Sequence, residues 1–219
     1  MPIYKSKLFP ESVLAHRLLD GLTGLEIGGS AHNAFGLDTL NVDALSHEDP
    51  HFLAVYGKEQ IRLCGEVMPV DIVAPGDKIP VPDKSFDFVI SSHVIEHFYD
   101  PIAAIKEWVR IARKYVYIIC PQPDALESDR TKLITGLQEL VERHTRKEKP
   151  AWTDEHHTRW TCETFRDMCA AYGWHVSHWQ ERDDKVGNGF TVVIDVRYVI
   201  GIGEHQPMGV IQTVKMLKP

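Results

Sequence analysis

Short apolar runs alternate with amphipathic stretches along most of the chain. Each run is only a few residues long and is bounded by turn-forming or charged residues, which is typical of buried strands. The seven predicted strands are residues 25–27, 39–42, 67–73, 86–90, 115–120, about 175–179 and 190–200. Strands that alternate with helices indicate parallel pairing and a layered α/β fold.

The amphipathic stretches predict helices between these strands. The clearest one begins at Asp100-Pro101, because Asp is a good N-cap and proline suits the first helical position. Others are predicted over residues 10–20 and after Thr161, where apolar residues recur at helical spacings.

The last two strands are predicted to pair antiparallel at one edge of the sheet, because the short glycine-rich segment 187–189 links them. Residues 121–160 break the alternation and contain a further helical pattern. We therefore predict one domain over residues 1–219 with an insertion at about 121–160. That insertion follows the carboxyl end of a strand, where open α/β sheets bind ligands.

Composition narrows the classes of function. The 219 residues carry 24 basic and 31 acidic side chains, a net charge of −7, with no concentrated basic patch. Binding to duplex nucleic acid is therefore not expected. No apolar stretch is long enough to cross a membrane, and the N-terminus lacks a secretory signal, so a cytoplasmic protein is expected.

The first strand ends in a glycine turn, Gly24-Leu25-Glu26-Ile27-Gly28-Gly29-Ser30. Glycines at this point let the backbone turn tightly and approach a ligand. Asp43 ends the second strand, where a carboxylate can accept two hydrogen bonds from a ribose diol. The structural alternative for the glycines is an ordinary turn between a strand and a loop, and for Asp43 it is a turn or cap residue. The dinucleotide pattern GxGxxG is missing, which disfavours a nicotinamide dehydrogenase.

Residues 79–101, IPVPDKSFDFVISSHVIEHFYDP, provide the most specific pattern in the chain. This block, together with the glycine turn and Asp43, resembles the class I S-adenosylmethionine-dependent methyltransferases. The resemblance spans about residues 20–200 and is weaker beyond Pro121. It implies a Rossmann-like, doubly wound and mostly parallel seven-stranded sheet with an antiparallel edge strand. Ser30 departs from the family pattern, since a second glycine usually stands there.

The resemblance also implies a cofactor site for S-adenosylmethionine. Glu26 would organise the glycine turn and hold the methionine ammonium, while Gly28 and Ser30 would lie against the methionine. Asp43 would bind the ribose diol and Asp77 the adenine amino group. Ser92 and His93 would lie near the sulfonium.

A hydroxyl acceptor needs a general base, for which histidine is the usual choice near neutral pH. Among the 12 histidines we favour His144 and His157, because both lie in the predicted insertion, with His97 as a third candidate. For His97 a structural role is equally compatible with the pattern, and packing is the alternative for His144. Trp152 and Trp160 are candidates for stacking on an acceptor, with burial in the core as the alternative.

The resemblance also raises magnesium as a second cofactor, since His93, Glu96 and His97 lie where some O-methyltransferases of the family hold this ion. Magnesium prefers oxygen ligands, so an imidazole-rich set disfavours it. We therefore expect methyl transfer to survive chelation.

The function expected from the resemblance is methyl transfer to a small polar acceptor, with O-methylation of a saccharide hydroxyl favoured. A looser similarity is to the sugar O-methyltransferases of mycobacterial methylmannose polysaccharide assembly. N- or C-methylation of a natural product or quinone, and a catalytically silent cofactor-binding subunit, are the alternatives. A homodimer is left open.

Overall fold

The computed structural model describes residues 11–29, 35–147, 150 and 155–199. Ser30, His32 and Trp152 lie outside the described residues. Seven strands form one sheet, and their bounds are β1 Thr23–Ile27, β2 Asp38–Asp43, β3 Ile72–Val73, β4 Phe86–Ser92, β5 Ala112–Pro121, β6 Val176–Gln180 and β7 Gly189–Asp195. The helices are α1 Val13–Leu19, α2 Pro50–Phe52, α3 Lys58–Cys64, α4 Pro101–Ile111, α5 Leu137–Arg146 and α6 Cys162–Ala171.

The strand order is β3-β2-β1-β4-β5-β7-β6. Strands β1 to β5 pair in parallel, whereas β7 runs antiparallel to both β5 and β6. The predicted Rossmann-like α/β fold, mostly parallel with antiparallel pairing at one edge, is therefore confirmed. The strand order reverses between β1 and β4, and the carboxyl ends of these strands frame the crevice in which such sheets bind ligands.

Helix α4 packs against strands β4 and β5 and begins at Asp100-Pro101, as its sequence predicts. The Asp100 carboxylate accepts a hydrogen bond from the Ala103 N–H at 3.0 Å, which caps the first turn. Its apolar side, including Ile105 and Trp108, is fully buried in the main core. The helix passes directly into β5 at Ala112, without an intervening loop.

Strand β3 is shorter than the predicted 67–73, because side chains replace the ladder before Ile72. The Asn41 N–H donates to the carboxylate of Asp71 at 2.8 Å, and the Asn41 amide donates to the Pro69 carbonyl at 2.8 Å. Pro69 has no N–H to give to a ladder. The sequence pattern did not predict the helical stretch 50–64 between β2 and β3, which includes a π-helix over Leu53–Gly57.

The segment predicted to be an insertion contains, among its described residues, a short 3-10 turn at Glu127–Asp129 and the helix α5, which packs against α4. Cys120, Cys162 and Cys169 are buried free thiols. No helix among the described residues has the length and apolar character needed to cross a membrane.

Candidate active site

A cavity of about 630 Å³ opens at the carboxyl ends of β1, β2 and β3. Three of the predicted cofactor residues lie in its wall, namely Gly28 after β1, Asp43 at the end of β2 and Asp77 after β3. Parallel strands bring their carboxyl ends to one edge, so residues far apart in sequence meet there. The three predicted base candidates His97, His144 and His157 lie in the same wall.

The glycine turn depends on the missing side chain of Gly28. This residue has φ +66°, and its N–H donates to the Val42 carbonyl at 2.8 Å. A Cβ atom here would lie 2.7 Å from Cγ2 of Val94. The next N–H, that of Gly29, donates to Oδ1 of Asn41 at 3.1 Å. These two hydrogen bonds hold the turn against β2, and the positive φ and the contact with Val94 require glycine at position 28.

Glu26 lies beneath this turn and is buried, and it is not among the residues that line the cavity. Burial raises the pKa of its carboxyl to about 7, while the ammonium of Lys185 and a hydrogen bond from Thr39 act in the opposite direction. Lys185 is itself 1% exposed, with its Nζ 4.2 Å from the centroid of the Phe35 ring. Its buried position in the loop before β7 was not predicted from the sequence.

Ser92 and His93 lie at the end of β4 but outside the cavity wall. Nε2 of His93 lies 2.9 Å from Oδ1 of Asn188, and Nδ1 lies 3.1 Å from Oγ of Ser92. Because the amide oxygen accepts, Nε2 carries the proton and Nδ1 accepts from the serine hydroxyl. Burial lowers the pKa of His93, against the effect of Asn188. Their predicted place near the sulfonium stays a prediction.

The three histidines of the cavity wall differ in their surroundings. Nδ1 of His144 lies 2.8 Å from Oδ2 of Asp100, and Nε2 lies 2.9 Å from Nζ of Lys106. Both ring nitrogens of His144 therefore have partners within the protein. The ring of His157 packs edge-on against Tyr99 at 5.8 Å between centroids. Burial lowers the pKa of His157, and the charge of Arg143 lowers it further.

Arg143 does not line the cavity, but it contacts two residues that do, and the sequence did not predict this position. Its guanidinium lies 4.6 Å from the centroid of the Tyr99 ring and donates to the His157 carbonyl at 3.0 Å. It thus joins α5 to the Tyr99 ring and to the backbone of His157 in the cavity wall. The only signal in the sequence is its i,i+4 spacing from Glu139, with which it forms an ion pair.

Trp160 does not contact the cavity. It is 1% exposed and packs edge-on against Phe165 in the main core, so it is not available to stack on an acceptor. Trp160 is therefore a core residue, and its predicted stacking on an acceptor is wrong.

Behind His97, the buried Glu96 faces two imidazoles. Oε1 of Glu96 lies 3.8 Å from Nε2 of His97 and 3.8 Å from Nε2 of His156. Burial raises the pKa of Glu96 to about 8; its own backbone N–H lowers this value and the neighbouring Asp129 raises it. His156 and Asp129 form a hydrogen bond through Nδ1 of the ring.

Comparison with known proteins agrees with this geometry. Residues 49–120 match a family model described as a methyltransferase domain. This part of the chain is therefore similar to methyltransferase domains, and the seven-stranded sheet agrees with that similarity. A chain from Haloferax volcanii, solved in complex with a methyltransferase activator, has the same fold with a TM-score of 0.51, 14% identity and coverage of 81% of this chain and 83% of its own.

Two further similarities are more limited. An S-adenosylmethionine-dependent methyltransferase structure from Aquifex aeolicus has 17% sequence identity to this chain and a TM-score of 0.46. The alignment covers 82% of this chain and 84% of the Aquifex chain. An uncharacterised methyltransferase of Schizosaccharomyces pombe is 37% identical over 51 residues, which are 23% of this chain. The matched segment spans 18% of the length of that relative.

Proposed function

We propose that this protein transfers the methyl group of S-adenosylmethionine to a hydroxyl of a small polar acceptor, with a saccharide as the favoured acceptor class. The observation that carries the proposal is one cavity whose wall contains Gly28, Asp43 and Asp77 together with His157. The first three end adjacent strands, as a nucleoside-binding crevice requires. The imidazole of His157 is the candidate base for the acceptor.

In this reaction the acceptor oxygen forms a bond to the methyl carbon while the bond from sulfur to that carbon breaks. The sulfonium becomes a neutral thioether, and the acceptor proton passes to a base. The protein contributes mainly by aligning oxygen, carbon and sulfur. We assign the base to His157, whose ring lies in the cavity wall beside Tyr99 and whose pKa is lowered by burial, so that the imidazole is neutral near pH 7. The ring of His144 instead bridges Asp100 and Lys106.

The cavity wall offers features that suit a saccharide. The aromatic residues Phe98 and Tyr99 lie beside the polar side chains of Asp100, Lys147 and His157. A sugar has C–H faces that pack on aromatic rings and hydroxyls that require polar partners, and ligand sites combine both kinds of surface.

The cofactor part is tested with S-adenosylhomocysteine. It should bind and raise the melting temperature, because a ligand that binds only the native state stabilises it. Asp43→Ala should weaken binding roughly 10- to 100-fold through the loss of hydrogen bonds to a charged acceptor. Asp38→Ala, at the exposed start of the same strand, should leave affinity unchanged. Binding of a nicotinamide dinucleotide with no affinity for S-adenosylhomocysteine would contradict the proposal.

The acceptor part is tested by transfer from methyl-labelled S-adenosylmethionine to a panel of saccharides, phenols, amines and quinones. An O-methyl signal in the NMR spectrum of a saccharide product is the expected result. Transfer to nitrogen or carbon would favour the alternative acceptors. Tight cofactor binding with no transfer to any acceptor would favour a silent subunit.

A further inference from the structure

Four ionisable side chains from three separate segments meet behind the cavity wall. Glu96 and His97 lie in the 3-10 turn that follows β4, Asp129 lies in the insertion, and His156 precedes α6. One nitrogen or oxygen atom from each of Glu96, His97 and His156 lies within 4.8 Å of the others. The two imidazoles stand edge to face, with ring centroids 4.8 Å apart.

Glu96 is the unusual member of this group. It is 1% exposed, and within residues 11–29, 35–147, 150 and 155–199 neither carboxylate oxygen accepts a hydrogen bond from another residue. A buried carboxylate without such partners is costly, and native structures rarely keep one without a reason. The group it faces consists of two imidazole nitrogens, each 3.8 Å from the same oxygen.

His156 is held in the orientation of a metal ligand. Its Nδ1 is hydrogen-bonded to Asp129, whose carboxylate is also paired with Lys132 at 3.0 Å. A carboxylate that accepts from one ring nitrogen directs the lone pair of the other, here Nε2, toward a cation. The segment itself is fastened to the turn, since the N–H of His157 donates to the Glu96 carbonyl at 2.8 Å.

We propose that Glu96, His97 and His156 bind one divalent transition-metal cation, with Asp129 orienting His156. A set of one carboxylate oxygen and two imidazole nitrogens suits zinc, cobalt or iron rather than magnesium. Metal bonds of about 2.0–2.2 Å place neighbouring ligand atoms roughly 3–3.5 Å apart. The two 3.8 Å separations from Glu96 are close to this range, and the two imidazoles, whose ligand atoms lie within 4.8 Å, would move toward each other on binding.

Such a cation would lie at the wall of the cavity, because His97 is one of the residues that line it. Three protein ligands leave a coordination position for water or for an oxygen of a bound molecule. A hydroxyl bound there would lose its proton more readily. This role toward an acceptor rests on the proposed function, whereas cation binding itself does not.

The test uses the full chain after chelator treatment and dialysis, titrated with Zn²⁺ by calorimetry and with Co²⁺ in the visible spectrum. We expect one equivalent to bind, with cobalt d–d absorption bands that report nitrogen and oxygen ligands. Glu96→Gln and His156→Gln should each weaken binding by at least about 100-fold, and Asp129→Asn by roughly 10- to 100-fold. His178→Ala, in strand β6, is the control and should bind like the wild type.

Absence of saturable 1:1 binding to the wild type would overturn the proposal, as would equal binding by Glu96→Gln. Glu96→Gln and His156→Gln are both measured, so that the result does not depend on one variant that fails to fold. The melting temperature of each variant shows whether it is folded. The readouts require neither cofactor nor acceptor. Methyl transfer by a protein that binds no metal would contradict this proposal alone. Metal binding by a protein that has no affinity for the cofactor would contradict the proposed function alone.

Discussion

Nδ1 of the His144 imidazole lies 2.8 Å from Oδ2 of Asp100, and the same carboxylate caps helix α4. Because a carboxylate only accepts, Nδ1 carries the proton and Nε2 accepts from Lys106. One ring thus joins the last turns of α5 to the first turns of α4, at the wall of the cavity. This makes His144 a positioning residue for the insertion rather than the base that we assign to methyl transfer.

His157→Ala should lower kcat roughly 10²- to 10⁴-fold, the usual contribution of a positioned general base, with S-adenosylhomocysteine affinity nearly unchanged. His144→Ala should act mainly on KM for the acceptor, since it loosens α5. Steady-state kinetics on the acceptor found by the screen separates the two effects, and His178→Ala is the control. Near-full turnover by His157→Ala would remove this residue from the mechanism.

Asp100→Ala should destabilise the protein by about 1–3 kcal/mol, because the cap of α4 and the partner of His144 are lost together. Asp49→Ala is a matched control. Asp49 caps the three-residue helix α2 through a 2.7 Å hydrogen bond from the His51 N–H, and it does not line the cavity. Urea unfolding measures both variants. Equal losses would show that the link from Asp100 to α5 adds nothing to stability.

Gly28→Ala should cost about 2–4 kcal/mol, since a side chain here is strained at positive φ and would clash with Val94. Gly65→Ala provides the comparison, because Gly65 has φ +80° with nothing within 4 Å of an added Cβ. It should cost only the backbone strain, about 1–2 kcal/mol. S-adenosylhomocysteine affinity should fall in Gly28→Ala alone. Similar behaviour of the two variants would contradict the close approach at Gly28.

Glu26 should make the stability of the free protein depend on pH. Burial raises its pKa from 4.5 to about 7 in the folded state, so between these values the folded protein holds a proton that the unfolded chain has lost. Stability from this group is therefore fully present below pH 4.5 and is lost as the pH rises through about 7. At about 1.4 kcal/mol per pKa unit, the loss is about 3 kcal/mol.

The measurement is the difference in unfolding free energy between wild type and Glu26→Gln, taken at pH 5 and pH 8. Subtracting the variant removes the titration of other groups. The stability of the wild type relative to the variant should fall between these two pH values. A rise instead would mean that Lys185 outweighs burial and keeps the carboxylate ionised.

Local patterns in the sequence were sufficient for the order of the strands, for the helices α1, α4 and α6, and for the strand ends that line the cavity, but not for the helical stretch 50–64. Apolar runs, the Asp100-Pro101 helix start and the strand-end residues Gly28 and Asp43 depend on short-range preferences. Parallel pairing then brings strand ends to one edge, so Gly28, Asp43 and Asp77 were expected to meet and they do. The length of β3 was not predictable, because the side chains of Asn41 and Asp71 replace its ladder.

Tertiary packing alone decided the surroundings of the ionisable groups. His144 and His157 were equal candidates for the base in the sequence. The packing of α5 on α4 places the His144 ring between Asp100 and Lys106. Asp129 and His156 meet Glu96 across long separations in the chain. Such contacts depend on how separate segments of the chain pack against one another, and residue spacing within one segment carries no information about them.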